Sequence, residues 1–147
     1  MKIVGLTTTS GATALTTCEQ SNSNVTSWTP IASLPIAAYD LAMVTLLGKA
    51  YVIGGAISGN VAQTSVRMYD GVSVWVAKAA MSPGRSGHAA LALDDDRALV
   101  CGGLAPNPTV VNTCVIYTAS TDSWTTAPTM AQARSYFNLV MSEGMWH

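Results

Sequence analysis

GKAYVIGG occupies residues 48–55, SVRMYD follows at 65–70, and Trp75 stands alone beyond them. Read in order, this is a polar turn, an apolar strand ended by Gly54 and Gly55, a loop, a second strand ending in Tyr69 and Asp70, and an isolated indole. The order then returns. RALVCGG at 97–103 carries Gly102 and Gly103, CVIY at 114–117 ends in Tyr117, and Trp124 follows. Gly102 lies 48 residues after Gly54 (102 − 54), and Trp28, Trp75 and Trp124 are 47 and 49 apart (75 − 28 and 124 − 75). A recurrence near ~50 residues marks stacked modules, each closing the apolar faces of its neighbours. The chain is thus one repetitive segment, 1–147, in three approximate units, 1–47, 48–96 and 97–147.

Within a unit, pattern sets the elements. LAMVTLL at 41–47 is a continuous apolar run, as expected of an inner strand buried on both faces. Gly48 and Lys49 turn the chain, 51–53 runs back, and the glycine pair closes the strand, where close backbone approach or positive φ excludes a side chain. Val66 and Met68 then alternate with Arg67 and Tyr69, the period of a strand with unlike faces. By the same reading strands recur at 89–93, 98–101 and 112–117, with a last inner strand at 136–141. In the first unit, strands are expected at 1–5, 15–19 and around Trp28, while 56–64 and 105–109 read as loops. A tryptophan buries about 150 to 250 Å², so each of the three would supply roughly 4 to 6 kcal/mol at most as a seam anchor.

These residues resemble the kelch repeat, a four-stranded blade of a β-propeller. The resemblance is carried by Gly54, Gly55, Tyr69 and Trp75 in the central unit and by Gly102, Gly103, Tyr117 and Trp124 in the next. Arg85 and Arg134 add to it, each ten residues past a tryptophan (85 − 75 and 134 − 124). The first unit departs from the pattern: one glycine of the pair remains, at Gly5, Ser21 stands in place of the tyrosine, and Ala38 in place of the arginine. The resemblance implies an all-β fold of three four-stranded kelch-like blades, half of a six-bladed propeller. Propellers close with about 4 to 8 blades, so three blades leave two wedge faces as apolar as an internal seam. Such faces do not stay exposed on a soluble monomer. Two arrangements cover them: a head-to-tail homodimer completing one ring, or the remainder of a longer propeller chain.

Composition narrows the partners. With 49% hydrophobic and 10% charged residues and a mean hydropathy of +0.31, the chain has the means to bury a core. A net charge of −1 with 7 Lys and Arg offers no basic stripe for nucleic acid. No apolar run nears the ~18 residues that cross a bilayer, so no membrane partner is expected. The apolar stretch in MKIVGLTTTSG is shorter than the ~7 to 15 residues of a signal-peptide core, which favours a cytoplasmic location. Cys18, Cys101 and Cys114 include no C-x-x-C pair and are odd in number, and buried free thiols are the expected state, with a disulfide as the lesser alternative.

The visible chemistry is sparse. GRSGH at 84–88 pairs a serine with a histidine, but a nucleophile elbow needs glycine where His88 stands. The only histidines are His88 and His147, with no ligand spacing between them, and Asp94, Asp95 and Asp96 read as a solvated turn rather than a calcium loop. No metal and no cofactor are expected. Arg85 and Arg134 enter inner strands at equivalent positions and would point to one mouth of a central channel, where guanidinium groups suit carboxylates or phosphates. The resemblance offers the other role, satisfying backbone carbonyls of the next blade. Ser86, His88 and Tyr136 beside the arginines, with Asn60, Gln63 and Asn107 in the loops, complete the candidate binding set. Two functions follow. One is a non-catalytic scaffold that recognises a protein or peptide through loops 56–64 and 104–111 on one ring face. The alternative is a carbohydrate-binding protein or an enzyme similar to the kelch-fold sialic acid mutarotases, gripping an acidic sugar with Arg85 and Arg134. The scaffold is favoured, because the channel offers only His88 as an acid or base.

Overall fold

The computed structural model describes residues 4–6 and 16–142 and is all-β. The first unit contributes a three-stranded antiparallel sheet of β1 (Val4–Leu6), β2 (Cys18–Ser21) and β3 (Trp28–Ile31). The second contributes β4 (Ala42–Leu46), β5 (Lys49–Ile53), a small hairpin of β6 (Ala56–Ile57) and β7 (Val61–Ala62), then β8 (Val66–Tyr69) and β9 (Trp75–Lys78). The third repeats this with β10 (Ala89–Ala92), β11 (Arg97–Cys101), the hairpin β12 (Leu104–Ala105) and β13 (Thr109–Val110), then β14 (Cys114–Thr118) and β15 (Ser123–Ala127). Each of these two units forms a four-stranded antiparallel sheet in the order β4-β5-β8-β9 or β10-β11-β14-β15.

The ladders coincide position by position. Ile53 faces Ala42 on one side and Val66 on the other, Cys101 faces Ala89 and Cys114, and in the first unit Leu6 faces Cys18, so Gly5 takes the place of Val52 and Val100 rather than that of a paired glycine, contrary to expectation. The glycine pairs are required for one reason in both units. Gly54 and Gly102 have φ of 61° and 66°, and a Cβ on either would lie 2.5 Å from the carbonyl oxygen of Arg85 or Arg134. No side chain fits so close to a backbone carbonyl. The neighbouring Gly55 and Gly103 then donate their N–H groups to the same two carbonyls at 2.8 and 2.9 Å.

The sheets stack through two apolar seams. Cys18 and Leu34 meet Val52, Tyr69 and Trp75 between the first and second units, while Val44, Leu46, Tyr51, Ile53 and Val66 meet Ala98, Val100 and Tyr117 between the second and third. Each seam is pinned by an indole. Trp75 Nε1 donates to the Ala32 carbonyl at 2.8 Å and Trp124 Nε1 to the Ala79 carbonyl at 2.9 Å, in both cases to the residue four past the preceding unit's tryptophan. Tyr69 packs on Trp75 and Tyr117 on Trp124, with ring centroids 5.3 and 5.0 Å apart.

Several expectations change. Trp28, expected in a seam, is 46% exposed, since among the described residues no preceding carbonyl lies within reach of its indole. Residues 56–64 are no plain loop: Gly59 and Asn60 take φ of 85° and 60° and turn β6 back on β7. Residues 105–109 likewise turn β12 back on β13, with Asn107 at φ 69°. Residues 136–141 form no strand: Tyr136 donates its N–H to the Gly87 carbonyl, and beyond it none of the described residues joins the segment in a sheet. The inner strand of the second unit ends at Leu46, with Leu47 exposed in the turn at φ 49° and Thr45 also exposed. Cys101 and Cys114 are not free thiols: the β11–β14 register sets them opposite one another, Cα atoms 4.2 Å apart, and they form a disulfide. Cys18 remains a buried free thiol, its pKa raised by that burial. The calls at 1–3, 15 and His147 lie outside the described residues.

Candidate functional site

The candidate residues cluster where the chain crosses from one sheet to the next, and the crossings are built alike. Asp40, Gly87 and Tyr136 all adopt left-handed φ, at 52°, 58° and 54°. Gly87 N–H donates to the Asp40 carbonyl at 2.8 Å, and Tyr136 N–H donates to the Gly87 carbonyl at 2.7 Å. The three crossings are therefore joined in a chain, spaced 47 and 49 residues apart (87 − 40 and 136 − 87). The flanking residues fall into register. Ala38, Arg85 and Arg134 are equivalent; so are Tyr39, Ser86 and Ser135, and so are Leu41, His88 and Phe137.

The two arginines share a backbone setting and diverge at the side chain. Arg85 is 1% exposed. Its Nη1 donates to the carbonyls of Gly102 at 3.0 Å and Thr113 at 2.8 Å, and its Nη2 donates to Thr113 Oγ1 at 2.7 Å. Burial lowers its pKa, and its Nε has no partner. A guanidinium so placed braces the second unit against the third and presents nothing to a ligand. Arg134 is exposed and lies over the Phe137 ring at 5.8 Å. The structure therefore does not bring the two guanidinium groups to a common mouth.

His88 is 6% exposed, at the position filled by Leu41 and Phe137 in the other crossings. Neither ring nitrogen has a hydrogen-bond partner. Burial, and then the charge of Arg85, lower its pKa to about 4; the Ile53 and Arg85 carbonyls lie close enough to oppose this in part without completing a hydrogen bond. The imidazole is neutral at pH 7. Ser86 is buried and exchanges backbone hydrogen bonds with Leu104, its hydroxyl making none with His88. No nucleophile and base are paired here.

The outer side of the crossings assembles a set that the sequence only half indicated. Tyr39 Oη donates to Asn60 Oδ1, and Tyr136 Oη donates to Asp40 Oδ2 at 3.0 Å. Burial and then the Asp40 hydrogen bond raise the Tyr136 pKa, yet the residue is 65% exposed. Tyr39 and Asp40 were missed by sequence reasoning, although the 47-residue step back from Gly87 falls on Asp40. Gln63 Nε2 turns back to the Val61 carbonyl at 2.9 Å, stiffening the first hairpin, and Asn107 sits in the turn of the second. A phenol, an amide and a carboxylate side by side suit hydrogen bonding to a peptide or sugar, with the exposed Tyr136 ring as an apolar platform, while Tyr39 is buried with its hydroxyl on Asn60. Among the described residues no group of three or more His, Cys, Asp or Glu could hold a metal, and no helix is long and apolar enough to cross a membrane. No protein-family model matches this chain, and no curated protein matches its sequence.

Proposed function

We propose that this chain is a kelch-type β-propeller segment that acts as a non-catalytic binding scaffold, completing its ring by self-association and recognising a protein or peptide on one face. The observation that carries the reading is the chain of crossings, Asp40 to Gly87 to Tyr136, each bonded to the next at the repeat spacing. Links at one end together with stacking through the faces support reading the sheets as wedges about an axis. The ligand face is the hairpin β6–β7 with Asp40, Asn60 and the exposed Tyr136, held from within by buried Tyr39, a rigid frame presenting turns, an aromatic ring and hydrogen-bonding groups. Catalysis is disfavoured because His88 is buried and unpaired with Ser86. The acidic-sugar alternative loses half of its anchor, since Arg85 is occupied by Gly102 and Thr113.

A peptide array, with thermal shift against a panel of acidic sugars alongside, tests this reading. Peptide binding that falls roughly tenfold or more in Tyr136→Ala, with the melting temperature unchanged, is the expected result. Stabilisation by acidic sugars without any peptide bound would replace the scaffold with the alternative.

A further inference from the structure

The first sheet lacks what a later segment has to give. β1 pairs with β2 along one edge, and among the described residues nothing pairs with the other. In the second and third sheets that edge is filled by β4 and β10, which begin two residues after Asp40 and Gly87. Two residues after Tyr136, the equivalent crossing residue, comes Asn138. Residues 138–142 belong to no sheet, and Val140 and Met141 are 81% and 58% exposed. Among the described residues, one strand edge is unpaired and one strand-like segment belongs to no sheet, in the same repeat frame.

We propose that residues 138–141 of one copy pair antiparallel with β1 of a second copy, completing its first sheet to four strands, and that the exchange is reciprocal. The inference rests on the propeller reading but not on any ligand. Its register follows from the two complete sheets. Ala42 opposite Ile53 and Ala89 opposite Cys101 place Asn138 opposite Leu6, Leu139 opposite Gly5 and Val140 opposite Val4.

Three further groups find partners by the same correspondence. Leu91, Leu93, Leu99 and Ile116, on the outer face of the third sheet, match Val44, Leu46, Tyr51 and Met68, which line the seam between the second and third sheets. They would receive the first sheet of the second copy. Trp28, exposed here, would donate to the Pro128 carbonyl, because Trp75 and Trp124 donate to the equivalent Ala32 and Ala79 carbonyls. Arg134 would reach Thr17. Thr113, which accepts from Arg85, immediately precedes Cys114, and Thr17 immediately precedes the equivalent Cys18. An arginine and a threonine are thus each available in the right unit, the latter exposed. Reciprocal use of both faces closes a two-fold ring in which each unit's main sheet has four strands, with only short outer edges such as β3, β9 and β15 remaining.

Mixing a Val4→Cys chain with a Val140→Cys chain under oxidation tests the register. A disulfide-linked species at twice the 15.3 kDa chain mass, formed in the mixture and in neither variant alone, is expected. Its absence overturns the pairing, as does a Val4→Cys/Val140→Cys chain that crosslinks within itself. Light scattering on the native chain at micromolar concentration should give a dimer; a monomer, or a ladder of larger masses, overturns the closed exchange. Val140→Pro removes a ladder donor at an exposed site outside the three sheets, so it should leave the circular dichroism unchanged and yield monomers. If it remains dimeric, the exchange is wrong. Trp28→Ala should raise the dimer dissociation constant roughly 30-fold, and an unchanged constant would refute the seam. A cooperatively folded monomer that still binds peptide sinks the exchange and leaves the scaffold; a crosslinking dimer that binds no peptide does the reverse.

Discussion

The crossing at Arg85 and the crossing at Arg134 have the same backbone and opposite fates. Both arginines give their carbonyls to a glycine N–H at 2.8 to 2.9 Å, and both precede a left-handed residue two positions on. Arg85 is buried against carbonyls 17 and 28 residues further along the chain, flanking the strands of the next sheet, whereas among the described residues Arg134 has only the Phe137 ring. The difference lies in the neighbour. In a repeat protein a side chain's role is set by the unit that packs on it, so an arginine at a fixed repeat position is a brace in one place and an open hand in another.

The largest way to break this contrast is Arg85→Ala. It removes three hydrogen bonds, strands the buried Gly102 carbonyl and the partly buried Thr113 carbonyl, and leaves a cavity between two sheets. The expected loss is about 3 to 5 kcal/mol, read as a lower urea midpoint with the slope unchanged. A loss below about 1 kcal/mol would mean that the seam does not depend on the guanidinium.

His88 sharpens the comparison, since Phe137 holds the same place in the next crossing. With a folded pKa lowered to about 4 against ~6.5 in the unfolded chain, the unfolded state takes up the proton first as pH falls. Stability is full above pH ~6.5 and declines from there to about pH 4, by on the order of 3 kcal/mol. Asp70, Asp94 and Asp122, all with lowered pKa, lose their contributions progressively as pH falls from the ordinary carboxylate range to below it. His88→Phe should therefore flatten the stability profile between pH 6.5 and 4 and, by removing two unpartnered nitrogens, raise stability at pH 7 by roughly 1 to 2 kcal/mol. Denaturant titrations of both proteins at several pH values check the two effects together.

How legible was this in the sequence? The all-β class and the repeat spacing were, because Gly54 and Gly102, and the three tryptophans, recur at nearly constant intervals. The acceptors of Arg85 were not, because they lie in the next unit and depend on how two sheets stack. The hairpins at Ala56 and Leu104 were hidden by their size: strands of two residues carry no period, while Gly59, Asn60 and Asn107 advertise only a turn. The Cys101–Cys114 disulfide was hidden too. A separation of 13 residues suggests no framework until the β11–β14 register sets the two opposite. The site was half legible. Asn60 and Tyr136 were found by residue type and position, but their partners Tyr39 and Asp40 come from a different strand end and are joined to them only by folding.

The smallest expected effect on the fold is the most informative about the contrast. Arg134→Ala removes an exposed guanidinium, and with only an aromatic face beneath it the folded chain should change by less than about 0.5 kcal/mol. If Arg134 is the equivalent of Arg85 across the boundary between copies, the same substitution should nevertheless weaken self-association by roughly tenfold, with Thr17→Ala weakening it less and the double variant no more than Arg134→Ala alone. Sedimentation equilibrium on the three variants makes the comparison. Additive losses from the two residues would show that they act apart, and the exposed arginine would then stand as a free surface group rather than as the unfilled counterpart of the buried one.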